Sequence, residues 1–206
     1  MSLTLIIILI TAAVSIPAFS NPKLFYRLDF SPTSIDLNKE WYRFITHAFL
    51  HGDWWHLGVN MFVLYMFGDV CQYYYEAYLG TKGILYFLLL YFGGIVFAVI
   101  PTFKKHRNDY NYHSVGASGA VSAMVFSSVI FSPATDLCLY GLLCFPGIIW
   151  AIIYLIYSYQ KGKSSNDNVN HDAHFWGAIY GIVFTIVSVP ESIPSFITQI
   201  SRILPF

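Results

Sequence analysis

The four residues Gly116-Ala117-Ser118-Gly119 stand at the start of a long apolar run and place a serine between two glycines. Glycines beside a serine let the backbone approach a ligand closely, so that the hydroxyl and the N–H of Ser118 can both face it. Such a serine is a candidate nucleophile. Gly, Ala and Ser also form the faces on which membrane helices pack, and these four residues taken alone favour packing. Residues elsewhere in the chain are needed to choose between a nucleophile and a packing residue.

A nucleophilic serine needs a base that removes its proton, and His174, near the start of a later apolar run, is of the right type. A neutral imidazole can take that proton and then give it to a leaving amine. His56 and Asn60 are four residues apart, hence on one helix face, and with the Ser118 N–H they are candidate donors to an oxyanion, worth about 3 kcal/mol each. No carboxylate in an apolar run is placed to orient His174. The pattern therefore predicts a Ser-His dyad rather than a triad.

The composition indicates which elements carry these residues. Of 206 residues, 56% are hydrophobic and only 11% are charged, more apolar side chains than a water-facing fold can cover. The formal net charge of zero offers no basic field to a nucleic acid. We predict an all-α, polytopic membrane protein whose six spans have about 20 residues each. They are Leu3 to Phe19, Trp54 to Tyr75, Gly83 to Phe103, Val115 to Phe131, Leu137 to Tyr159 and Ala173 to Val189.

Six spans put the loops after the first, third and fifth on one side of the membrane, and each of these loops leads into a polar residue of interest. Ser118, His174, His56 and Asn60 would all lie within about two helical turns, about 10 Å, of that side. Polar groups at membrane depth are expensive and by default indicate function. Helix packing does not explain why these polar residues converge at one side of the membrane. We therefore now favour a catalytic role for Ser118 over a packing role.

Small residues on two of the predicted helices agree with this geometry. Gly177 and Gly181 follow His174 on one face, and Gly119 and Ala123 follow Ser118. Such faces let membrane helices approach closely enough for a hydroxyl and an imidazole to touch. The same residues suit packing without chemistry, and the two interpretations are compatible.

The remaining segments are interpreted more simply. Residues 1–206 are expected to form one domain with a core at about 41–189. Residues 191–206 are expected to form an amphipathic helix that lies on the membrane surface. The apolar start resembles a signal peptide up to Ala18-Phe19-Ser20. Because it lacks a basic region, we expect a retained first span instead.

No cofactor is expected, and a metal site is disfavoured. His47 and His51 could bind a metal with His56, but the glutamate that a zincin helix places after its first histidine is missing. We prefer structural hydrogen bonds for both. Histidines in polar loops are interpreted as solvated; these are His106, His113 and His171. The cysteines in or beside apolar runs are interpreted as small apolar filler rather than as a disulfide framework; these are Cys71, Cys138 and Cys144.

Together these motifs resemble the rhomboid family of intramembrane serine proteases. The resemblance runs from about Trp41 to Gly181, and its residues are Arg43, His47, His51, His56-x-x-x-Asn60, Gly116-Ala117-Ser118-Gly119 and His174-x-x-Gly177-x-x-x-Gly181. It implies a six-helix rhomboid-like bundle with Ser118 as nucleophile and His174 as base and acid. It also implies His56 and Asn60 at the oxyanion hole. Further, it implies a partly embedded loop carrying Arg43, and a water-filled cavity gated by the fifth span and capped by residues 160–172.

One residue departs from the family pattern. Members usually have an aromatic residue one helical turn after the nucleophile, where it stacks on the catalytic histidine, and this chain has Ser122 there. Either another aromatic residue replaces it or the activity is low. The family also includes inactive members that bind or escort membrane helices, but those typically lack the serine or the histidine.

The implied partners are membrane lipids and proteins with transmembrane helices, and the expected location is the bacterial inner membrane. A small transporter fits less well, because the polar residues cluster near one side of the membrane. The orientation stays open. The predicted site side carries nine Lys and Arg against two on the other, which the positive-inside rule places in the cytoplasm. The family usually opens its site to the outside.

Overall fold

The computed structural model describes residues 2–139, 142–164 and 169–203, and most of them are helical. In chain order the elements are α1 (Leu3–Ala18), α2 (Pro22–Leu28), α3 (Pro32–Asn38), α4 (Arg43–Thr46), α5 (Trp54–Leu79), α6 (Gly83–His106), α7 (Ser118–Phe131), β1 (Asp136–Leu139), β2 (Leu143–Pro146), α8 (Gly147–Ser164), α9 (His171–Ser188) and α10 (Ser192–Ile203). Short 3-10 turns at His47–Phe49 and Gly80–Lys82 precede α5 and α6. The mostly helical architecture is the one that the composition predicts.

Five of the six predicted apolar segments coincide with helices, namely α1, α5, α6, α7 and α9. Three of these helices, α1, α5 and α9, begin with side-chain caps that satisfy backbone donors of the first turn. The Ser2 hydroxyl accepts from the Leu5 N–H at 3.2 Å, and the Asp53 carboxylate accepts from the His56 N–H at 2.8 Å. These short polar residues determine where each helix begins. The number of apolar residues in a segment does not fix that position.

The prediction of a helix for the fifth segment is wrong at residues 137–139 and 143–146. There the chain forms the antiparallel hairpin of β1 and β2, and α8 begins only at Gly147. Pro146 contributes to this break, because proline lacks the backbone donor and disfavours helical backbone at the residue before it. A count of apolar residues does not register such a break.

The hairpin also corrects the interpretation of two cysteines. Cys138 and Cys144 are paired across β1 and β2 and form a disulfide. Both are exposed, so they do not fill an apolar core. Cys71 is free and buried, as expected of a small apolar residue. The pairing of the other two depends on a strand register that the predicted helix does not have.

Length and hydropathy single out one helical stretch of the described residues as able to cross a membrane, Trp54–His106, and a second if α9 and α10 count as one bent span. α1 and α7 are apolar but shorter. The long stretch is two packed helices, α5 and α6. At the turn between them Gly80 has a φ of 58°, and Gly83 lies against the backbone of Glu76. The count of six spans stays a prediction.

α7 is the central helix, and most of its residues are buried. α5 runs parallel to it, because Cys71 contacts the Met124 carbonyl at 3.0 Å and Tyr75, one turn later, lies 3.3 Å from the hydroxyl of Ser127. α9 is parallel to α7 as well, and the Thr185 hydroxyl lies 2.8 Å from that of Ser127. The starts of α5, α7 and α9 therefore lie at the same end of the bundle.

α6 runs in the opposite direction and closes the other side of α7. A Cβ on Gly94 would lie 3.0 Å from Ala120 and from Ala123, and one on Gly119 would lie 2.5 Å from Ala98. Small side chains on both helices produce this close approach. The C-terminal part of α6 is thereby held beside the start of α7.

The segment after α9 forms the expected C-terminal helix. α10 is bent by 116° relative to α9, and the Gln199 side-chain amide donates to the Phe131 carbonyl at 3.0 Å. Ile193 and Ile197 are exposed on it, as an amphipathic helix on a membrane would require. The last residues of the predicted segment, 204–206, lie outside the described residues.

Candidate functional site

α7 and α9 approach each other closely, backbone against backbone, at two glycines. A Cβ on Gly177 would lie 2.2 Å from the Gly119 carbonyl oxygen, and one on Gly181 would lie 2.3 Å from that of Ala123. Any side chain at these positions would separate the helices. The two glycines that follow His174 in sequence thus contact the two small residues that follow Ser118, in the same register.

Ser118 and His174 stand at the start of this seam. Ser118 directly precedes Gly119, and His174 precedes Gly177 by one helical turn. Ser118 lines a small cavity of about 10 Å³ together with Ala173, the neighbour of His174. Both candidate residues are partly exposed rather than buried. The two residues therefore lie on neighbouring helix starts at the same end of the bundle.

The first turn of α7 differs from those of α5 and α9. Asp53 caps α5, and the Asn170 side chain caps α9 by accepting from the Ala173 N–H at 3.0 Å. At α7 the cap position is Ala117, and no side chain caps the helix. The first N–H groups of a helix lack intrahelical acceptors and attract negative charge. Those at Ser118 are consequently suited to an oxyanion.

His56 lies against the backbone that leads into Ser118. Gly116 has a φ of 125°, and a Cβ there would lie 2.8 Å from both Cε1 and Nε2 of the His56 ring. Only glycine meets both demands, the left-handed backbone and the ring contact. Asn60 is buried one turn further along α5, and its amide donates to the His56 carbonyl at 2.9 Å. The fold thus brings His56 to the loop of Ser118 and ties Asn60 to His56.

His51 connects the same loop to α1 through a chain of hydrogen bonds. The Ser15 hydroxyl donates to the Phe49 carbonyl at 2.8 Å, so it accepts from Nδ1 of His51 at 2.9 Å. Nε2 of His51 then accepts the Ala117 N–H at 3.4 Å. This pattern requires a neutral imidazole. Burial, and next the charge of His56, lowers the pKa of His51 to about 3, in agreement.

His47 supports the loop from a second point. Its carbonyl accepts the Gly116 N–H at 3.0 Å, and its Nδ1 donates to the Arg43 carbonyl at 2.8 Å. Burial lowers the pKa of His47 to about 4, so that it too is neutral at pH 7. The expected structural hydrogen bonds of His47 and His51 are both present. Within the described residues, no three His, Cys, Asp or Glu side chains are grouped so that they could hold a metal ion.

Arg43 acts on this loop from a distance. Its guanidinium pairs with the buried carboxylate of Asp29 and with Glu40. The other oxygen of Asp29 lies 2.6 Å from Nδ1 of His113. The His113 side chain is exposed, as the sequence suggests, and also pairs with this carboxylate. Next to these residues Phe30 and Ser114 exchange two backbone hydrogen bonds of 2.9 and 3.1 Å. Arg43 therefore anchors the segment that leads to Ser118.

Asp29 was not recognised in the sequence as part of this anchor. Burial raises its pKa, although His113 and Arg43 act in the opposite direction. Its sequence signal is weak, since an aspartate in a loop rich in aromatic residues is ordinarily assigned to solvent. The partners that justify its burial come from two distant parts of the chain.

The ring that the family pattern leads one to expect beside His174 comes from another helix. Tyr154, on α8, stacks on the His174 ring with the centroids 6.3 Å apart and the planes at 25°. The Tyr154 hydroxyl lies 2.7 Å from the Ser122 hydroxyl. Of the two alternatives stated for Ser122, replacement by another aromatic residue is the one present in the fold. No sequence spacing links residues 122 and 154.

The interpretation of His171 as a solvated loop residue is wrong. His171 is buried, and its ring lies 5.8 Å from that of His174.

α8, the predicted gate, packs on α9 and α7. Of the predicted cap at 160–172, residues 165–168 lie outside the described residues.

The family model and the curated relatives that match this chain all point to one family. The rhomboid domain model matches residues 38–191, which is most of the chain. Rhomboid-like protein 11, chloroplastic, of Arabidopsis thaliana is 32% identical over 69% of this chain and 51% of its own length. A Bacillus subtilis (strain 168) protein, YdcA, provisionally named a rhomboid protease, is 29% identical over 75% of this chain and 70% of its own. The chain thus spans about half the length of the Arabidopsis relative. This protein is a membrane protein that belongs to the rhomboid family.

Proposed function

We propose that this chain is an intramembrane serine endopeptidase in which Ser118 is the nucleophile and His174 the general base and acid. The observation that carries the proposal is the glycine-mediated contact of α7 with α9, which brings together the two helix starts that bear these residues. Membership of the rhomboid family supports the same chemistry. The bundle would cross the membrane six times, in a bacterial inner membrane.

In the proposed reaction His174 takes the proton of Ser118 as Oγ attacks the carbonyl carbon of a peptide bond. The imidazolium then protonates the leaving amine, and an acyl-enzyme remains. Water, deprotonated by the same imidazole, releases the second product and restores the hydroxyl. A dyad suffices for this sequence if the imidazole is held in place by other means than a carboxylate.

The oxyanion of the tetrahedral intermediate would be stabilised from two sides. The Ser118 N–H belongs to the uncapped first turn of α7, and the His56 ring contacts Gly116 from α5. Asn60 donates one of its two amide hydrogens to His56 and has a second one to offer. Each donor would contribute about 3 kcal/mol to the transition state.

The proposed substrates are transmembrane segments of other membrane proteins, reached within the lipid bilayer. A regular helix hides its amides in internal hydrogen bonds, so a cleavable segment should contain small or helix-breaking residues. Such residues let the segment extend into the space above Ser118. Cleavage would occur near the membrane side on which α5, α7 and α9 begin.

The test is cleavage of a model transmembrane substrate in proteoliposomes by the wild type and by the Ser118→Ala and His174→Ala variants. We expect both variants to lose at least about a thousandfold in rate, as for other dyad and triad members. The Ser128→Ala variant, which also replaces a serine of α7, should cleave at the wild-type rate. Retained cleavage in either dyad variant would refute the proposed mechanism.

Labelling by a fluorophosphonate separates this function from that of a non-catalytic escort of membrane helices. The reagent reacts with an activated serine and needs no knowledge of the substrate. Labelling of the wild type that is lost in Ser118→Ala supports a protease. A wild type that binds helices but is neither labelled nor active would be an escort.

A further inference from the structure

Ser118, Ser122 and Phe126 form a stripe on α7, because they are spaced one helical turn apart. Tyr154 of α8 lies against this stripe. Its ring contacts that of Phe126 with the centroids 5.6 Å apart, and its hydroxyl is 2.7 Å from that of Ser122. The tyrosine is thus held on the same face of α7 that carries Ser118.

The Tyr154 ring also contacts the ring of His174. The two rings are nearly parallel, at 25°, and the imidazole also meets His171 edge-on at 80°. A stacked ring and an edge contact together restrict rotation of an imidazole about its side-chain bonds. An aromatic residue on α8 therefore limits the orientations of the histidine on α9.

We propose that Tyr154 is the positioning residue of His174, and that the Ser122 hydroxyl holds Tyr154 in place. The inference rests on the proposed function and adds to it the group that orients the base of the dyad. Tyr154 acts through His174 and does not touch the reacting atoms.

The physical reason lies in the chemistry of the pair. A half-buried tyrosine needs a partner for its hydroxyl, since an unpaired polar group in an apolar setting is costly. Ser122 provides that partner from the helix that also carries the nucleophile. The hydrogen bond thereby fixes the distance of α8 from α7 one turn below Ser118. In the family pattern the aromatic ring that stacks on the histidine lies on the helix of the nucleophile. Here that ring is Tyr154 on α8, and α7 contributes the hydroxyl of Ser122 that binds it.

The position of α8 consequently affects the base. If α8 moves away from α7, the Tyr154 ring leaves His174, whereas an aromatic residue on α7 itself would stay. α8 exposes an apolar outer face that includes Ile152, Ile153 and Ile156. In this protein the helix that borders the site also carries the ring that orients its histidine.

The experiment compares Tyr154→Phe, which keeps the ring, with Tyr154→Leu, which keeps apolar volume but no ring. We expect kcat to fall about 3- to 10-fold in Tyr154→Phe, the effect of one lost hydrogen bond, and about 100-fold in Tyr154→Leu, with KM changed less than about twofold. Ser122→Ala should resemble Tyr154→Phe, and the double variant Ser122→Ala/Tyr154→Phe should be no worse than either. Tyr159→Leu, an exposed tyrosine of the same helix, should keep the wild-type kcat.

A spectroscopic measurement separates positioning from catalysis. The ring current of Tyr154 shifts the imidazole resonances of His174, which can be assigned by comparison with His174→Gln. We expect this shift in the wild type and in Tyr154→Phe, and its loss in Tyr154→Leu. If Tyr154→Leu keeps both the resonances and kcat of the wild type, the positioning role is refuted. If the wild type is inactive but shows the shift, the proposed function fails while the contact stands.

Discussion

Nε2 of His51 accepts the backbone N–H of Ala117 at 3.4 Å, one residue before Ser118. Because Nδ1 of the same ring donates to Ser15 on α1, one neutral imidazole connects the first helix with the loop of the candidate nucleophile. Three further contacts hold this loop: His56 on Gly116, the His47 carbonyl on the Gly116 N–H, and the pairing of Phe30 with Ser114. The loop is positioned by the segment before α5 as much as by α7.

The first prediction concerns pH. The pKa values of His47 and His51 are lowered by burial, to about 4 and about 3, from 6.5. Between these values and 6.5 the unfolded state binds more protons than the folded state, so stability falls as the pH falls below 6.5. At pH 5 each histidine should cost about 2 kcal/mol. The check is the unfolding midpoint in detergent between pH 7.5 and pH 5.

The variant His51→Gln provides the control for this prediction. Glutamine can still donate to Ser15 and accept from Ala117 but does not titrate, so its midpoint should depend less on pH than that of the wild type. Asp29, whose raised pKa acts in the opposite direction on acidification, is present in both proteins and cancels in the difference. Equal slopes for the two proteins would show that His51 is not the titrating group.

The second prediction concerns the seam between α7 and α9. Gly177→Ala places a methyl group 2.2 Å from the Gly119 carbonyl oxygen, which the helices can accommodate only by moving apart. We expect a loss of about 1–3 kcal/mol in the free energy of unfolding and at least a tenfold loss of cleavage, because Ser118 and His174 separate.

Gly58→Ala is the matched substitution on α5, where a Cβ meets nothing within 4 Å. It should be neutral, or stabilising by about 0.5–1 kcal/mol through the better helix propensity of alanine. Thermal unfolding and substrate cleavage measure both variants. A Gly177→Ala protein that behaves like Gly58→Ala would contradict the tight seam.

The third prediction concerns the anchor of the loop. In Arg43→Met the carboxylate of Asp29, fully buried, loses its guanidinium partner and keeps only His113. Breaking one side of a buried pair costs about 3 kcal/mol or more, so the unfolding midpoint should fall by several degrees. The loop before Ser118 should also become more accessible to hydrogen exchange at Phe30 and Ser114.

Lys105→Met breaks a solvent-exposed pair with Asp172 and serves as the comparison for Arg43→Met. Exposed ion pairs contribute less than about 1 kcal/mol, so this variant should unfold almost like the wild type. Similar losses in the two variants would mean that the Arg43 pair is no stronger than a surface pair.

The fourth prediction concerns the hairpin. Alkylation of the unfolded, non-reduced protein should label one thiol, Cys71, and reduction should expose all three. Removing the bridge in Cys138→Ser/Cys144→Ser should cost about 2 kcal/mol, as the closure entropy of a short loop indicates. Since the hairpin follows the end of α7 opposite Ser118, cleavage should be unchanged at a temperature where the variant is folded. Three labelled thiols without reduction would exclude the bridge.

Several features of this protein follow from local chemistry and were readable in the sequence. The apolar runs predict α1, α5, α6, α7 and α9 because burial or a lipid environment is the only stable setting for such runs. Glycine and alanine at one-turn spacing after Ser118 and His174 predict the seam. Spacing also places His56 and Asn60 on one face of α5, where the fold has them.

Other features depend on partners that are distant in sequence. Tyr154 meets Ser122 and His174 only because three helices pack together, and Asp29 is buried only because Arg43 and His113 arrive from different loops. The disulfide of Cys138 and Cys144 needs the register of a hairpin that Pro146 allows. The sequence alone therefore determined which residues could do chemistry and which helices carry them. The tertiary structure decided what holds those residues in place, because orientation comes from contacts between segments, and no local spacing encodes such contacts.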